Sequence, residues 1–183
     1  GTTLAMALLN NTRVECAGDW TTDGNVNPTN GTVVLDGALP SVIASTAGPG
    51  TARFNNLIIR NAVRTAASTL DVVANPLTIE ASGGLTAGAQ ALTYTTGTLT
   101  CAGLLGVGSA GSLRFGPTTV LTISATGTLS VIGVFGGPAI VTSNGTPGYA
   151  LTVNGTLAAR FFEFRQMGAD RDSVDRDHCA GAK

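Results

Sequence analysis

The middle of this 183-residue chain holds very few side chains that could do acid–base chemistry. Between Thr65 and Ala159 the only charged residues are Asp71, Glu80 and Arg114. Glycoside hydrolysis needs two carboxylates about 5–9 Å apart, and lyase chemistry needs a base with a cation close by. Two acids on neighbouring segments could pair by chance, but three charged residues are too few to build a cleft that cleaves sugars. We therefore predict that the chain is not an enzyme and has no catalytic residues.

The C-terminal segment carries a second group of ionisable residues. Asp170–Asp177 contains four aspartates and two arginines, and His178 and Cys179 follow it. A calcium loop of the EF type needs a glycine at its turn and a terminal glutamate, and neither is present. A zinc site needs four ligands, and only Cys16 and Cys101 remain to complete one. We predict a solvated, salt-bridged segment that binds no metal or cofactor.

Charge and composition exclude several classes of partner. Charged residues make up 11% of the chain and the formal net charge is −1, whereas roughly 25% is typical of soluble domains. This balance does not attract nucleic acid, and aromatic residues, at 5%, are too sparse to stack single strands. No apolar run approaches the ~20 residues of a membrane-spanning helix. We predict neither nucleic acid binding nor membrane insertion.

One tripeptide recurs at a constant spacing. The pattern apolar–threonine–apolar stands at Leu77–Ile79, Leu99–Cys101 and Leu121–Ile123, so its leucines are 22 residues apart both times. A fourth copy, Leu151–Val153, returns after 30 residues, as expected if loops are inserted around Gly136–Pro138 and Thr146–Gly148. Alternation with period two indicates strands with one buried face. A 22-residue repeat of short strands separated by glycine-rich turns is typical of a solenoid.

We therefore predict an all-β fold, a single-stranded right-handed parallel β-helix (β-solenoid) of about 22 residues per turn. Roughly eight turns, stacked about 4.8 Å apart, would form the rod, with aliphatic columns inside and threonine columns outside. Leu77, Leu99 and Leu121 should stack in adjacent turns. Cys101 takes the position of Ile79 and Ile123, so it should point inward as a small buried hydrophobe. An antiparallel sandwich is the alternative fold, but it does not need a tripeptide at constant spacing.

The N-terminal half adds a characteristic series of segments. They are Gly18–Thr21, Gly24–Val26, Asn30–Gly37 and Ala52–Ile59, and Gly-Thr-Leu then recurs at 97–99, 127–129 and 155–157. This series resembles the repeat segments of large secreted bacterial surface proteins of the adhesin type, over about residues 18 to 165. The resemblance implies a parallel β-helix, secreted or displayed on a cell surface or appendage, that acts as a stalk, a spacer or an adhesive surface. It carries over no catalytic residues.

We divide the chain into three segments. Residues 1–17 are predicted to be an N-terminal cap, with the apolar run Leu4–Leu9 covering one end of the fold. Residues 18–167 are predicted to be the solenoid, and residues 168–183 a polar, charged tail.

The last predicted strand, Ala159–Met167, is rich in large apolar residues. Its Phe161, Phe162, Phe164 and Met167 cannot all face the interior of one strand, so we predict that they take part in self-association. Cys16 belongs to the first turn and Cys179 follows the last. In a rod of about 40 Å they are too far apart to bond within one chain unless the tail folds back. They are candidates for a disulfide between stacked subunits.

Four functions fit these patterns. The leading prediction is an extracellular structural or adhesive module that associates end to end with its own copies into rods or filaments. The second is a glycan-binding surface module that uses Trp20, Tyr94 or Tyr149 as a stacking platform. The third is an ice-binding solenoid, although Thr-x-Thr, as at Thr93–Thr95 and Thr126–Thr128, is not kept strictly on one face in every repeat. The fourth is an accessory polysaccharide-active β-helix.

Overall fold

A computed structural model describes residues 12–22, 30–45, 51–73, 76–145 and 148–167 of the chain. These residues form twenty short strands, and none of them is helical. No helix in these ranges is therefore long and apolar enough to cross a membrane. The strands belong to three sheets, and every strand pair within them is parallel.

The chain visits the three sheets in turn. The first sheet contains β1 (Arg13–Cys16), β3 (Thr32–Leu35), β6 (Asn56–Ile59), β9 (Leu77–Ile79), β12 (Thr98–Cys101), β15 (Val120–Ile123) and β18 (Ala150–Val153). The second contains β2 (Trp20–Thr22), β4 (Ser41–Ser45), β7 (Val63–Ala66), β10 (Gly84–Thr86), β13 (Leu104–Val107), β16 (Thr128–Ile132) and β19 (Thr156–Arg160). The third contains β5 (Thr51–Phe54), β8 (Thr69–Val72), β11 (Ala91–Tyr94), β14 (Ser112–Phe115), β17 (Ala139–Ser143) and β20 (Phe162–Phe164).

This arrangement is a parallel β-solenoid with about 22 residues per turn, as the repeat predicts. The described residues form about six turns, whereas dividing the full chain length by 22 gives about eight. Two features account for the difference. The turn from Leu121 to Leu151 takes 30 residues, and the described residues do not include the two terminal segments.

The core consists of columns of inward side chains that run along the rod. Leu77, Leu99 and Leu121 pair in register in adjacent turns, and Ile79, Cys101 and Ile123 pair beside them, so both predictions are confirmed. Cys101 is fully buried, as expected. The first column is, from end to end, Val14, Val33, Leu57, Leu77, Leu99, Leu121 and Leu151. The second is Cys16, Leu35, Ile59, Ile79, Cys101, Ile123 and Val153.

Threonine forms the predicted column on the outside of the first sheet. Thr78, Thr100, Thr122 and Thr152 pair in four successive turns. The next outward row of the same sheet is mixed, because Thr98 is followed by Val120 and Ala150. The outer face therefore carries one threonine column rather than a two-row array.

Glycine occupies the corner between the first and second sheets in four successive turns. A Cβ built on Gly103 would overlap the carbonyl oxygen of Gly83, and the same overlap recurs between Gly155 and Gly127. Backbone hydrogen bonds hold the turns this close together. The residue after each glycine donates its amide to the carbonyl oxygen of the glycine in the preceding turn, as in Leu104 N to Gly83 O at 3.0 Å. Stacked turns leave no room for a side chain here, which accounts for the recurring glycine before Thr128 and Thr156.

One charged side chain among the described residues lies inside the rod. Arg64 on β7 is fully buried, at an inward position next to Ser41 of β4. Its guanidinium donates to the carbonyl oxygens of Leu39 at 2.7 Å and Gly37 at 3.0 Å. Since buried charges are tolerated only when they are hydrogen-bonded, Arg64 holds the corner between β3 and β4 against the core.

The aliphatic columns lead to a stability prediction. Replacing Leu99 with alanine should lower the free energy of unfolding by about 2–5 kcal/mol, because the side chain is fully buried and the neighbouring turns cannot close the cavity. Thr100→Ala, on the outside of the same strand, should change it by less than about 0.5 kcal/mol. Urea unfolding followed by circular dichroism measures both. Equal losses from the two variants would contradict the assigned faces.

Candidate functional site: the end layers and an exposed aromatic corner

The two ends of the rod differ from its middle in how well their columns are covered. At one end lie β1 and β2, and at the other lie β18, β19 and β20; among the described residues each of these strands has a neighbour on one side only. We call Val14, Cys16 and Trp20 the N-terminal face, and Leu151, Val153, Leu157, Ala159 and Phe162 the C-terminal face. The members of both faces are half-buried or exposed, whereas the same columns are fully buried between them.

The C-terminal face is the more apolar of the two. Leu151 and Val153 pair with Leu121 and Ile123 and pack on the core from one side. Leu157 pairs with the buried Leu129, yet it is 46% exposed. An apolar core position left open at the end of a rod is a surface that favours association.

The N-terminal face is dominated by one large ring. Trp20 is half-buried and packs on Phe54 with 5.7 Å between ring centroids. Cys16 points inward, and its thiol donates weakly to the carbonyl oxygens of Gly18 and Asp19, both at 3.6 Å. The predicted disulfide between Cys16 and Cys179 stays a prediction, because Cys179 lies outside the described residues. The same holds for the predicted cap at Leu4–Leu9.

The prediction of one last strand over residues 159–167 is wrong, because this segment is divided between two strands. β19 ends at Arg160, and Phe161 takes a left-handed backbone conformation, φ +47°, that turns the chain into β20 of the third sheet. Phe162 and Phe164 then face inward and meet edge to face, with 5.4 Å between centroids. Met167 also packs on the core.

The four residues predicted to take part in self-association therefore lie in three different environments. Phe164 is buried, so it cannot be part of an open face. Phe162 and Met167 are half-buried at the C-terminal end. Phe161 is exposed, but it lies at a corner of the rod rather than on the end of a column.

The scarce charged residues of the body are not brought together. Asp71 on β8 pairs with Arg53 at 2.9 Å, whereas Glu80, which follows β9 of the first sheet, pairs with Arg60 at 2.7 Å. Arg114 donates to the hydroxyl of Ser112 at 3.1 Å. Within the described ranges, no three His, Cys, Asp or Glu side chains are close enough to hold a metal ion, and the acidic run 170–177 lies outside those ranges.

Two of the three aromatic residues predicted to form a glycan platform lie in the core. Tyr94 and Tyr149 are buried, and their hydroxyls donate to the carbonyl oxygens of Thr98 at 2.9 Å and Val141 at 3.4 Å. Both tyrosine side chains point into the core of the solenoid, and the Tyr149 ring packs on the Phe115 ring with 5.2 Å between centroids. A platform made of these two rings is therefore excluded.

The exposed aromatic rings lie elsewhere, at a corner between the second and third sheets. All nine aromatic residues of the chain are described, and only Phe135 and Phe161 are exposed, by 91% and 43%. Phe135 is at the tip of a two-residue hairpin, in which Val134 and Gly137 exchange hydrogen bonds of 3.1 and 3.0 Å. Gly136 has φ +80°, which such a turn requires.

The next turn of the solenoid places a cation at the same corner. Gly133 N donates to Arg160 O at 2.8 Å, so the base of the hairpin is joined to the end of β19. The Arg160 guanidinium carbon lies 5.0 Å from the centroid of the Phe161 ring. We call Phe135, Arg160 and Phe161 the aromatic corner. In the sequence, the 30-residue spacing and the glycines at 136–137 predict a loop at this place. They do not indicate that the loop exposes an aromatic ring.

Burial also perturbs the ionisable groups of the core. It raises the pKa of the Cys101 thiol to about 11, and it raises the pKa of the Tyr94 and Tyr149 hydroxyls as well. All three groups are therefore neutral at physiological pH, as their places in apolar columns require.

Comparison of the chain with protein-family models, with curated proteins and with solved structures finds no match.

The Cys101 environment predicts the order in which the thiols react. At pH 8 only about 0.1% of a thiol with a pKa near 11 is thiolate, the reactive form, so iodoacetamide should modify half-buried Cys16 well before Cys101. Because folding favours the neutral thiol, the contribution of Cys101 to stability is complete below its unfolded pKa of about 8.5 and is lost as the pH rises towards 11.

Peptide mapping by mass spectrometry measures the two rates separately from that of Cys179. The control is the same protein in concentrated urea, in which Cys16 and Cys101 should react alike. Equal rates in the native protein would place Cys101 outside the core.

Proposed function

We propose that this protein is an extracellular structural or adhesive module, a stiff β-solenoid that associates end to end with its own copies into rods or filaments. The observation that carries the proposal is the state of the two end layers. Apolar columns that are fully buried through the middle of the rod end in Val14 and Cys16 at one end, and in Leu151, Val153 and Leu157 at the other, none of which is fully covered.

Two physical effects favour association at each end of the rod, namely unpaired strand edges and exposed apolar surface. Strands with a neighbour on one side carry backbone groups that can template pairing with another chain, and solenoids need terminal turns with a polar outer face to stay soluble. Removing apolar surface from water is favourable by about 25 cal/mol per Å², and part of this gain is offset by the freedom that two copies lose on association. The described end layers hold apolar side chains where a polar cap would be expected.

The proposal includes no catalytic role. Asp71 and Glu80 each form an ion pair with an arginine of the preceding turn, and Asp71 lies on the third sheet whereas Glu80 follows a strand of the first. A pair of ion-paired acids on separate faces supplies neither a shared site nor a free general base. Secretion or display on a cell surface is part of the proposal, and it rests on the resemblance to secreted surface proteins.

Replacing Leu157 with glutamate tests the end-to-end contact. The wild-type protein should grow in mass with concentration and form rods in electron micrographs. The glutamate would place an unpaired charge in an apolar contact, so it should weaken association at least about tenfold, which corresponds to about 1.4 kcal/mol. Light scattering over a concentration series measures the shift.

Val120→Glu is the matched control, because Val120 is 38% exposed on the side of the rod in a middle turn. It should leave association unchanged. A wild-type protein that stays monomeric at high concentration would overturn the proposal. An equal effect of both variants would indicate that the rods associate through their sides.

The aromatic corner supports a second candidate function, the binding of an acidic glycan. An exposed ring offers a flat apolar face to the C–H groups of a sugar, and a guanidinium fork binds a carboxylate through paired hydrogen bonds. Phe135, Arg160 and Phe161 present both groups at one corner. No acid in the described ranges lies within ion-pair distance of Arg160.

Two variants separate the contributions of the ring and the charge. Phe135→Ala should weaken binding to acidic and neutral polysaccharides alike, whereas Arg160→Gln should weaken binding to uronate-containing polymers selectively. Both side chains are exposed, so stability should change by less than about 0.5 kcal/mol. Affinity electrophoresis with polygalacturonate and a neutral glucan measures both effects. Wild-type migration that neither polymer retards would exclude a glycan site at this corner.

A further inference from the structure

Three inward columns run the length of the rod and therefore have one terminal member at each end. The first column begins at Val14 and ends at Leu151, and the second begins at Cys16 and ends at Val153. A third column, on the second sheet, begins with Trp20 beside Ile43 and ends with Ala159 beside Val131. The two end layers are thus the two ends of the same three columns.

We propose that copies of the chain stack head to tail in a single register, so that each new copy continues the solenoid as if it were the next turn. β18 pairs with β1 of the next copy and β19 pairs with β2. Leu151 then lies on Val14, Val153 on Cys16 and Ala159 on Trp20 of that copy. The inference rests on the proposed end-to-end association, and it adds the polarity and the register of the contact.

Side-chain size favours this register. The third column contains Trp20 and Ile43 at one end but ends in alanine at the other. In head-to-tail stacking the largest side chain of the column meets the smallest. Head-to-head stacking would oppose two tryptophans, and tail-to-tail stacking would oppose two alanines, and neither arrangement fills the contact evenly.

The charges at the ends are compatible with the same register. Arg13 and Glu15, on the outside of β1, form an ion pair with each other at 2.7 Å. In the proposed stack they lie over Ala150 and Thr152, which carry no charge, so neither Arg13 nor Glu15 meets a like charge on its strand partner. A head-to-tail contact also leaves a free face at each end of the stack, which allows growth into filaments, whereas a two-fold contact would stop at a dimer.

A cysteine placed at the end of the second column tests the register directly. In a Cys179→Ser background, Val153→Cys should form a disulfide with Cys16 of the next copy. Paired strands are about 4.8 Å apart, which lies within the Cα–Cα range of a disulfide. Within one chain the two positions are six strand steps apart, about 29 Å, so the bond can form only between copies. Under mild oxidation, non-reducing electrophoresis should show a series of multimers, and mass spectrometry should find the peptide that joins residues 16 and 153.

Leu151→Cys in the same background is the matched control. Its side chain lies on the same inward face of the same strand, but two residues away from the partner position, about 8 Å from Cys16 of the next copy. It should give no multimers. Circular dichroism establishes that both variants fold.

Each other outcome rejects a different part of the argument. Rods that form while only Leu151→Cys cross-links to Cys16 would overturn the register and leave end-to-end association intact. Disulfides between two copies of residue 153 would show tail-to-tail contact and overturn the polarity. Monomers with free thiols, including monomers whose own segments 1–11 and 168–183 cover the end layers, would overturn both the inference and the proposed function.

Discussion

Parallel stacking of turns places each residue of this protein beside its equivalent in the next turn, about 4.8 Å away. That spacing is the constraint on which the rest of the structure depends. An inward position must accept a neighbour of compatible shape above and below it, which is why Cys101 can stand between Ile79 and Ile123 in one column. A corner position at which the turns approach most closely accepts no side chain, which is why Gly103 follows Gly83.

The same spacing explains the low charge content of the chain. Like charges on directly opposed strand positions repel, so a column of charged residues would destabilise the rod. The outer face of the first sheet uses threonine instead, which is polar and favours the extended backbone. Where charges do occur in adjacent turns they alternate in sign: Arg53 and Asp71 are strand partners and form an ion pair.

In a fold built of repeated turns, no turn differs from the others in a way that ends the stack. Every middle turn is covered by two neighbours, whereas the described end layers are covered by one. Val14 and Leu151 belong to the same column as Leu99, yet only Leu99 is fully buried. The proposed association follows from this difference, since a second copy supplies the missing turn. The aromatic corner has a different origin, because it depends on an insertion that interrupts the repeat.

The sequence by itself determined the class of fold, the repeat length and the inward positions of the middle turns. Each of these depends on local alternation and on one constant spacing, as at Leu77, Leu99 and Leu121. It did not determine where the chain turns a corner, because Phe161 adopts its left-handed conformation to meet the turn beneath it. Nor did it separate buried from exposed aromatic rings. The glycines after Phe135 predict a loop, but they do not indicate whether its ring packs inward, as that of Tyr94 does, or faces solvent. Those features were decided by the tertiary structure, because the exposure of a ring depends on which turn lies above and below it.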